Sequence, residues 1–534
     1  MRKIGYIFLL ALVVLMGTGC EQNGSSSNSG VGTSATTNTG DDTSDFVDNE
    51  TWSSTINIIW DGTDVTLTGS ADGVTVTSDK GYVTVQSTVK NIEYAVSGEG
   101  TGQLSIYSDY KFKLSLNGLT LTCSDGPAIN NQCHKTCYVV LGSTNTLTDG
   151  SSYASSTEDR KAAFFSEGQL CFSGSGTLNI TGNYKHALAS DDYIRFCEGT
   201  GTVNLIAKAS DGIHTNDGVI INDGVLTINA VGEGIQCDTS SVVITGGETT
   251  VTSTGDKGIL AYGNIEISGG VTYITSLAKG IKSKGNIVIS DGVVTVIVTG
   301  TSSGGNGGGP GGWGGSSSSS SGITPEGIEA KGTLTITGGK VYAQAGDDAI
   351  NSAGDMTISG GYIMAYSTGN DGIDANGNMY IKGGTVYAIC SGGAEVALDA
   401  NTEGGKKLYI QGGSIVAIGG LENGASLSQT CYSATAATNT WYALSGGSED
   451  FVFKTPSSLS TTTMVLSSSG TTALTSGVTV SSGTTILNSY AYTGASTTGG
   501  SSVTLSTYSS NNGSQPGGTQ PGGGNNGGDR GGRW

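Results

Sequence analysis

The sequence is poor in charged residues, and basic residues are the scarcer kind. Charged side chains make up 13% of the 534 residues, and the net charge at pH 7 is −20. Proteins bind nucleic acid through clustered Lys and Arg, so an acidic chain of this kind argues against a nucleic-acid partner. The excess of carboxylates is compatible with bound divalent cations, or with partners that such cations bridge.

Runs with the 3.6-residue period of an amphipathic helix are missing from residues 209–420. A short motif repeats there instead, a small residue followed by an aliphatic one and usually preceded by an acid or a lysine. Its copies are DGIH at 211–214, EGIQ at 233–236, KGIL at 257–260, KGIK at 279–282, EGIE at 326–329, DAIN at 348–351, DGID at 371–374 and VALD at 396–399. Successive copies begin 22, 24, 22, 47, 22, 23 and 25 residues apart, and the longest interval contains one period plus a Gly/Ser-rich insertion. A fixed period of this length indicates stacked repeats.

Each repeat contains two further segments in which polar and apolar residues alternate between Gly, Asn and Asp. Examples of the first are NIEISGG (264–270) and DMTISGG (355–361), which VTYIT and YIMAYS follow. Alternation indicates short β-strands, and glycine supplies the positive φ angles that sharp corners need. We therefore predict an all-β protein built on a right-handed parallel β-helix with one coil per repeat. β-Sandwiches and barrels also have regular turns, but their repeats do not stay in phase this closely.

The β-helix prediction also specifies the core. Strands of neighbouring coils lie ~4.8 Å apart, so equivalent aliphatic residues are expected to stack inside the helix. The predicted ladder consists of Ile213, Ile235, Ile259, Ile281, Ile328, Ile350, Ile373 and Leu398.

The chain begins with a segment typical of export. In residues 1–20, Arg2 and Lys3 precede an apolar run that ends in GTGC at Cys20. This pattern resembles a bacterial lipoprotein signal, with Cys20 as the lipidated first residue of the mature protein; an ordinary cleaved signal peptide is the alternative. Residues 21–50 are rich in Ser, Thr, Gly and Asn and are predicted to form a flexible tether. The expected location is the cell surface, with a lipid as the only membrane anchor.

The remaining boundaries follow from changes in composition. We assign residues 51–420 to the β-helix, with irregular first strands as its N-terminal cap, and the Gly/Ser-rich residues 301–322 to a disordered insertion. From residue 421 the period is lost, and 421–508 is predicted to form an antiparallel β-rich cap. Residues 509–534 have the composition of a disordered Gly-rich tail.

Three stretches carry a resemblance to a known family. They are LSLNGLTLTCSDGPAI (114–129), NTLTDGSSY (145–153) and AAFFSEGQLCFSGSGTLNITGNYKHALASDD (162–192). Together with the repeats that follow, they are similar to bacterial carbohydrate-binding domain-containing proteins, whose best-studied members are exported clostridial proteins. The resemblance covers roughly residues 55–505 and implies a β-helix that binds cellulose or polygalacturonate and holds calcium. Lys257 and Lys279 stand where the family pattern prefers an acid, which argues against calcium in those two coils.

Acidic residues beside the late motifs are the candidate metal site. Stacking is expected to place them at one corner of adjacent coils, where like charges repel unless a cation lies between them. Calcium prefers roughly six to eight oxygen ligands from carboxylates, amides and backbone carbonyls. The predicted ligands, called the acid ladder below, are Glu326, Glu329, Asp347, Asp348, Asn351, Asn370, Asp371, Asp374 and Asp399. The alternative is a solvated acidic corner without an ion.

A smaller polar cluster is a weaker candidate for the same role. It consists of Asp211, Asn216, Asp217 and Glu233.

Tyrosines recur in the late coils and form a second candidate site, because flat rows of aromatic rings can stack on sugar rings. The predicted carbohydrate-binding residues are Tyr342, Tyr362, Tyr366 and Tyr387, and Tyr380 and Tyr409 belong to the same coils. Aromatic residues are also favoured in strands for packing reasons alone. Strict alternation turns some of the six rings inward, which leaves both interpretations open.

Three functions follow from these features. We expect a protein that binds polysaccharide, either acidic and pectin-like or cellulose, with calcium and without cleaving it. A structural or adhesive surface solenoid would lack calcium-dependent retention on acidic polysaccharide. Pectate lyases and polygalacturonases also use parallel β-helices, but Arg160 and Arg195 lie far in the sequence from the acid ladder. His134, His186 and His214 show no acid/base arrangement in the sequence. We therefore expect a binding protein and keep an enzyme as the alternative.

Overall fold

The computed structural model describes residues 43–301, 323–390 and 395–510. Within these ranges the protein is a parallel β-solenoid of about 13 turns, with an antiparallel sheet near its C-terminal end. The predicted parallel β-helix is therefore confirmed. The export segment with Cys20 and, apart from Thr301, the predicted insertion lie outside the described residues. No helix in the described part is long and apolar enough to span a membrane.

The coils present three outer faces. The first face contains the repeated motif and is one sheet, which within the described residues consists of Val74–Asp79, Tyr82–Ser87, Leu104–Ser108, Ile129–Asn131, Ala162–Ser166, His186–Ser190, Ile213–Thr215, Ile235–Cys237, Ile259–Ala261, Ile281–Ser283, Ile328–Ala330, Ile350–Ser352, Ile373–Ala375 and Leu398–Ala400.

The second and third faces join into one larger sheet, because some strands continue around the corner between them. Its strands before the insertion are Ser54–Gly62, Asp64–Thr68, Ile92–Thr101, Phe112–Thr122, Cys137–Leu141, Thr144–Thr148, Leu170–Ser173, Thr177–Gly182, Ile194–Phe196, Thr202–Ala207, Val219–Ile221, Val225–Ala230, Val242–Ile244, Glu248–Ser253, Ile265–Ser276 and Ile287–Val298. After the insertion they are Leu334–Ile336, Lys340–Ala345, Met356–Ile358, Tyr362–Ser367, Met379–Ile381, Thr385–Ile389, Leu408–Ile410, Ser414–Ile418, Ser426–Leu427, Cys431–Thr435, Thr463–Ser467 and Ser506–Thr507.

The predicted aliphatic ladder forms the core side of the first face. Each member pairs in parallel register with the next, from Ile213 with Ile235 to Ile373 with Leu398. All eight side chains are fully buried. Burial of one such side chain contributes about 2 kcal/mol, so the ladder is a main source of coil-to-coil stability.

Glycine marks the corner before the third face because no side chain fits there. Gly361 has φ of +83°, and a Cβ atom on it would lie 2.7 Å from the carbonyl oxygen of Gly338 in the preceding coil. Glycine at this corner is therefore required by both backbone conformation and coil stacking.

The N-terminal part of the described chain corrects one predicted boundary. Residues 43–50, assigned to the tether, form two short 3-10 helices, Thr43–Asp45 and Val47–Asn49, that pack on the solenoid. Asp45 is buried, and its Oδ2 lies 2.8 Å from Nε of Arg195. Local composition did not reveal this docking, because the partner lies about 150 residues away along the chain.

The C-terminal end stops the parallel stacking. Strand Ser414–Ile418 pairs antiparallel with Thr463–Ser467, as expected for a β-rich cap. A closed barrel follows in the described part, formed by Trp441–Ser445, Phe451–Lys454, Ala473–Ile486 and Ala491–Ser502. Ser510, predicted to belong to the tail, is instead buried, and its hydroxyl donates to the Ala425 carbonyl at 2.8 Å.

Candidate functional site

Two rows of side chains follow the first face from coil to coil. The strand row contains the outward-facing middle residue of each three-residue strand: His214, Gln236, Leu260, Lys282, Glu329, Asn351, Asp374 and Asp399. The corner row contains the residue just before the small residue of each motif: Asp211, Glu233, Lys257, Lys279, Glu326, Asp348, Asp371 and Val396. Seven of the nine acid-ladder residues are thus brought together in two neighbouring rows of one face, and Asp347 and Asn370 directly precede corner-row residues.

The first acid-ladder coil is neutralised by lysines. Oε2 of Glu329 lies 3.1 Å from Nζ of Lys279 and 2.9 Å from Nζ of Lys282, and Lys331 also pairs with this carboxylate. Glu329 is only 1% exposed, and burial alone would raise its pKa. Hydrogen bonds from Lys331 and Lys282 outweigh the burial and lower the pKa of Glu329 to about 2.

Lys279 pairs with Glu326 as well as with Glu329. The ammonium groups therefore stand where a metal ion would have to bind. Glu326 and Glu329 do not fit as calcium ligands, which corrects the prediction from the sequence. Coil stacking brings the lysines of one repeat against the acids of the next, and the motifs read singly did not show this.

The next coils contain acids without such partners. Within the described residues, no Lys, Arg or His forms an ion pair with Asp348, Asp371, Asp374 or Asp399, which we call the uncompensated cluster. Amide groups donate to Asp348, Asp371 and Asp374 instead, and Asp399 pairs with Glu422.

Asn351 links two members of the uncompensated cluster. Its Nδ2 donates to Oδ2 of Asp348 at 2.8 Å and to Oδ2 of Asp374 at 2.9 Å. Asn370 Nδ2 donates to Oδ1 of Asp348 at 2.8 Å, and the Val396 N–H donates to Oδ1 of Asp371 at 2.7 Å. Neutral donors hold these carboxylates in place without supplying a positive charge.

Burial and mutual repulsion make ionisation of the uncompensated cluster unfavourable. Burial, followed by neighbouring acids, raises the pKa of Asp348 to about 6, of Asp371 to about 8 and of Asp374 to about 7. Burial and a hydrogen bond with Glu422 raise the pKa of Asp399 to about 9. A divalent cation would favour the ionised forms, so these residues and the nearby amide oxygens of Asn351 and Asn370 fit calcium chemistry. Asp347 lies partly exposed beside the cluster.

One group in the described part brings three His, Cys, Asp or Glu ligand atoms within 4.8 Å of one another, and it is not in the acid ladder. It consists of His186, Asp211 and His214. Of the smaller predicted cluster, Asp211 belongs to this group, whereas Glu233 pairs with Lys257 at 3.0 Å. Asn216 and Asp217 lie in the turn that follows His214 and contact Thr239 of the next coil. The sequence reasoning missed this group because His186 lies in a less regular coil without the motif.

Two of the predicted sugar-binding tyrosines are covered by the C-terminal barrel. Tyr342 is 1% exposed and Tyr387 is fully buried, in a cluster with Phe451 and Phe453 of the barrel. These rings cannot stack on a ligand, which corrects the prediction. Tyr362 and Tyr366 are partly buried against the same cluster, and the Tyr362 hydroxyl donates to Glu449.

Tyr380 and Tyr409 form an accessible pair on the second face. They occupy the same position in adjacent coils, with ring centroids 5.0 Å apart and planes 8° apart, and both are partly exposed. Nζ of Lys382 lies 5.2 Å from the Tyr380 ring centroid. Tyr380 and Asp374 belong to one coil, so the tyrosine pair and the uncompensated cluster lie on adjacent faces of the same part of the solenoid.

The fold places the protein among the parallel β-helix proteins. A family model described as "carbohydrate-binding domain-containing protein" matches residues 79–372, more than half of the chain. The chain belongs to this family, as the sequence resemblance predicted. Among solved structures it is similar to a polysaccharide lyase-like protein from C. thermocellum, determined as a gadolinium derivative, with 23% identity and a TM-score of 0.34. That match covers 46% of this chain and 92% of the other. No curated protein matches the chain.

Proposed function

We propose that the protein binds polysaccharide at the cell surface without cleaving it, and that calcium held by the uncompensated cluster takes part in binding. Membership of the carbohydrate-binding family supports a polysaccharide partner. The observation that carries the calcium proposal is the stack of buried and half-buried carboxylates, with raised pKa values and no basic partner among the described residues.

Calcium would be held by the carboxylates of Asp348, Asp371, Asp374 and Asp399, with amide oxygens of Asn351 and Asn370. When bound, it would supply a positive charge that neutralises the corner and can attract sugar carboxylates or hydroxyls. The residues themselves orient the site, because Asn351 fixes the carboxylates of Asp348 and Asp374 relative to each other.

A sugar is proposed to contact the pair of Tyr380 and Tyr409. The two rings stack on each other, so the pair offers ring edges and hydroxyl groups beside the positive charge of Lys382, which suits a uronic acid or a neutral hexose. Binding without cleavage is favoured because Arg195, one of the two arginines of the solenoid, is buried in an ion pair with Asp45. Attachment to the cell surface through Cys20 completes the proposal.

Retention of the purified protein on polygalacturonate and on cellulose, with calcium and then with chelator, tests this function. We expect calcium-dependent retention on polygalacturonate and no sugar in the supernatant. Release of unsaturated or reducing sugar would make the protein an enzyme. Neither retention nor release would favour a structural or adhesive solenoid.

A further inference from the structure

Two histidines from adjacent coils meet one carboxylate on the first face. His186 begins strand His186–Ser190, and His214 is the middle residue of Ile213–Thr215. Oδ2 of Asp211 lies 3.1 Å from Nδ1 of His186 and 2.9 Å from Nδ1 of His214. The position is five coils before Asp348, roughly 24 Å along the solenoid at the usual strand spacing, so it is separate from the uncompensated cluster.

The surroundings of His186 favour an unprotonated Nδ1 atom. Its side chain is 2% exposed, and the backbone N–H of Asp211 points to its Nδ1 at 3.3 Å. A nitrogen that accepts this N–H carries no proton, and its single lone pair is the one that a metal ion would take in place of this hydrogen bond. The other ring nitrogen, Nε2, is buried without a hydrogen-bond partner among the described residues. Protein groups alone therefore leave His186 poorly satisfied.

We propose that His186, Asp211 and His214 bind a divalent transition-metal ion, with zinc as the reference ion, through the two Nδ1 atoms and Oδ2. Ligands about 2.0–2.1 Å from a shared tetrahedral ion lie about 3.3 Å from each other, close to the 3.1 Å and 2.9 Å that separate Oδ2 of Asp211 from the two Nδ1 atoms. Two imidazoles and one carboxylate suit zinc, nickel or copper, whereas calcium prefers oxygen ligands.

The surroundings provide the second layer that such sites need. Nε2 of His214 lies 3.2 Å from Oδ2 of Asp238, and a metal-ligating histidine commonly directs its other nitrogen to a carboxylate. Oδ1 of Asp211 accepts the Glu233 N–H at 3.0 Å, which leaves Oδ2 for the ion.

The ion would enter from the side of His214, which is more exposed than His186 and borders the partly exposed Asp238. The two imidazole rings are stacked, with centroids 4.2 Å apart and planes 25° apart. Binding must tilt at least one ring to direct both lone pairs at the ion, and His214 has the greater freedom to do so. A fourth position would remain open toward solvent.

The competing explanation is that hydrogen bonds alone join these groups, with the two ring nitrogens of His214 directed at Asp211 and Asp238 and no ion between them. Direct measurement of zinc binding separates the two. The full-length protein is stripped with chelator and dialysed, then titrated with zinc by calorimetry in excess calcium, and with cobalt to record ligand-field absorption. We expect one zinc ion per chain, with calcium unable to compete.

The His214→Ala variant is expected to weaken zinc binding at least about tenfold, and Asp238→Asn by about tenfold through the second layer. His134→Ala is the matched control, because this third histidine is 77% exposed and lies away from the site. Far-UV circular dichroism and a thermal melt establish that each variant is folded; Asp211→Asn replaces His214→Ala if the latter is not. Absence of saturable zinc binding in the wild type, or equal binding by His214→Ala and His134→Ala, would overturn the proposal in favour of the arrangement held by hydrogen bonds alone.

Discussion

Nζ of Lys282 lies 2.9 Å from Oε2 of Glu329, the residue at the same position in the next coil. This contact divides the strand row into two parts with different chemistry. The carboxylate of Glu329 is matched by lysines, whereas Asp348 and Asp374 in the following coils are accompanied by the amide of Asn351. The same repeat therefore stabilises its coils by ion pairs in one part and is suited to bind a cation in the other.

The Glu329→Gln variant tests the neutralised part. The substitution leaves Lys279, Lys282 and Lys331 facing one another without a counter-charge, and removing one partner of a buried ion pair costs about 3 kcal/mol. We expect a lower melting temperature and unchanged calcium binding. Lys331→Gln, at a more exposed partner, should have a smaller effect. Loss of calcium binding in Glu329→Gln would contradict the assignment.

The Asp374→Asn variant tests the uncompensated cluster. The amide keeps an acceptor for Asn351 but removes a carboxylate whose pKa is raised to about 7 by burial and neighbouring acids. In chelator at pH 8 we expect the variant to be more stable than the wild type by about 1 kcal/mol. In calcium the order should reverse, because the wild type gains more from the ion. Thermal melts in both buffers give the comparison; a wild type unaffected by calcium would count against the site.

The pH dependence of stability follows from the same raised pKa values. Asp348, Asp371 and Asp374 hold protons more tightly in the folded than in the unfolded chain. Their contribution to stability is therefore greatest in acid and is lost between about pH 4, where unfolded carboxylates ionise, and about pH 8. Melting temperatures are measured in chelator for the wild type and for Asp371→Asn/Asp374→Asn. We expect the difference, wild type minus variant, to fall across this pH range. The subtraction removes other titrating groups, and a difference that rises with pH would refute the prediction.

The tyrosine pair makes a prediction about the ligand. Tyr380→Ala and Tyr409→Ala should each weaken polysaccharide binding about fivefold, since each removes an aromatic contact of about 1 kcal/mol, and should leave the melting temperature nearly unchanged. Tyr387→Ala provides the contrast: this ring is buried against the barrel, so the variant should lose about 3 kcal/mol of stability. Affinity electrophoresis in polysaccharide gels measures the binding. Equal affinities of the wild type and Tyr380→Ala would remove the tyrosine pair from the proposed binding site.

Sequence periodicity predicted what depends on neighbours one repeat apart. Ile213 with Ile235 and Asp374 with Asp399 follow directly from equal spacing, since stacking turns one residue of a repeat into a row. The burial of Tyr387 could not be predicted this way, because the barrel that covers it comes from chain about 65 residues later.

The joining of His186 with Asp211 and the docking of Asp45 on Arg195 have the same physical origin. In both contacts, one partner lies in an irregular segment of the chain. There the repeat period does not predict which residues of adjacent coils lie side by side. Contacts of this kind depend on side-chain geometry between coils rather than on the repeat itself.

The most direct test of the central claim combines site and ligand in one assay. Retention on polygalacturonate is measured in calcium and in chelator for the wild type and for Asp371→Asn/Asp374→Asn. The control is Lys331→Gln, which changes the part of the face where lysines neutralise the acids. The account predicts that calcium retains the wild type and the control, and that the double variant behaves as the wild type does in chelator. Calcium-dependent retention of the double variant would contradict it, because the ion that joins protein and polysaccharide would then lie elsewhere.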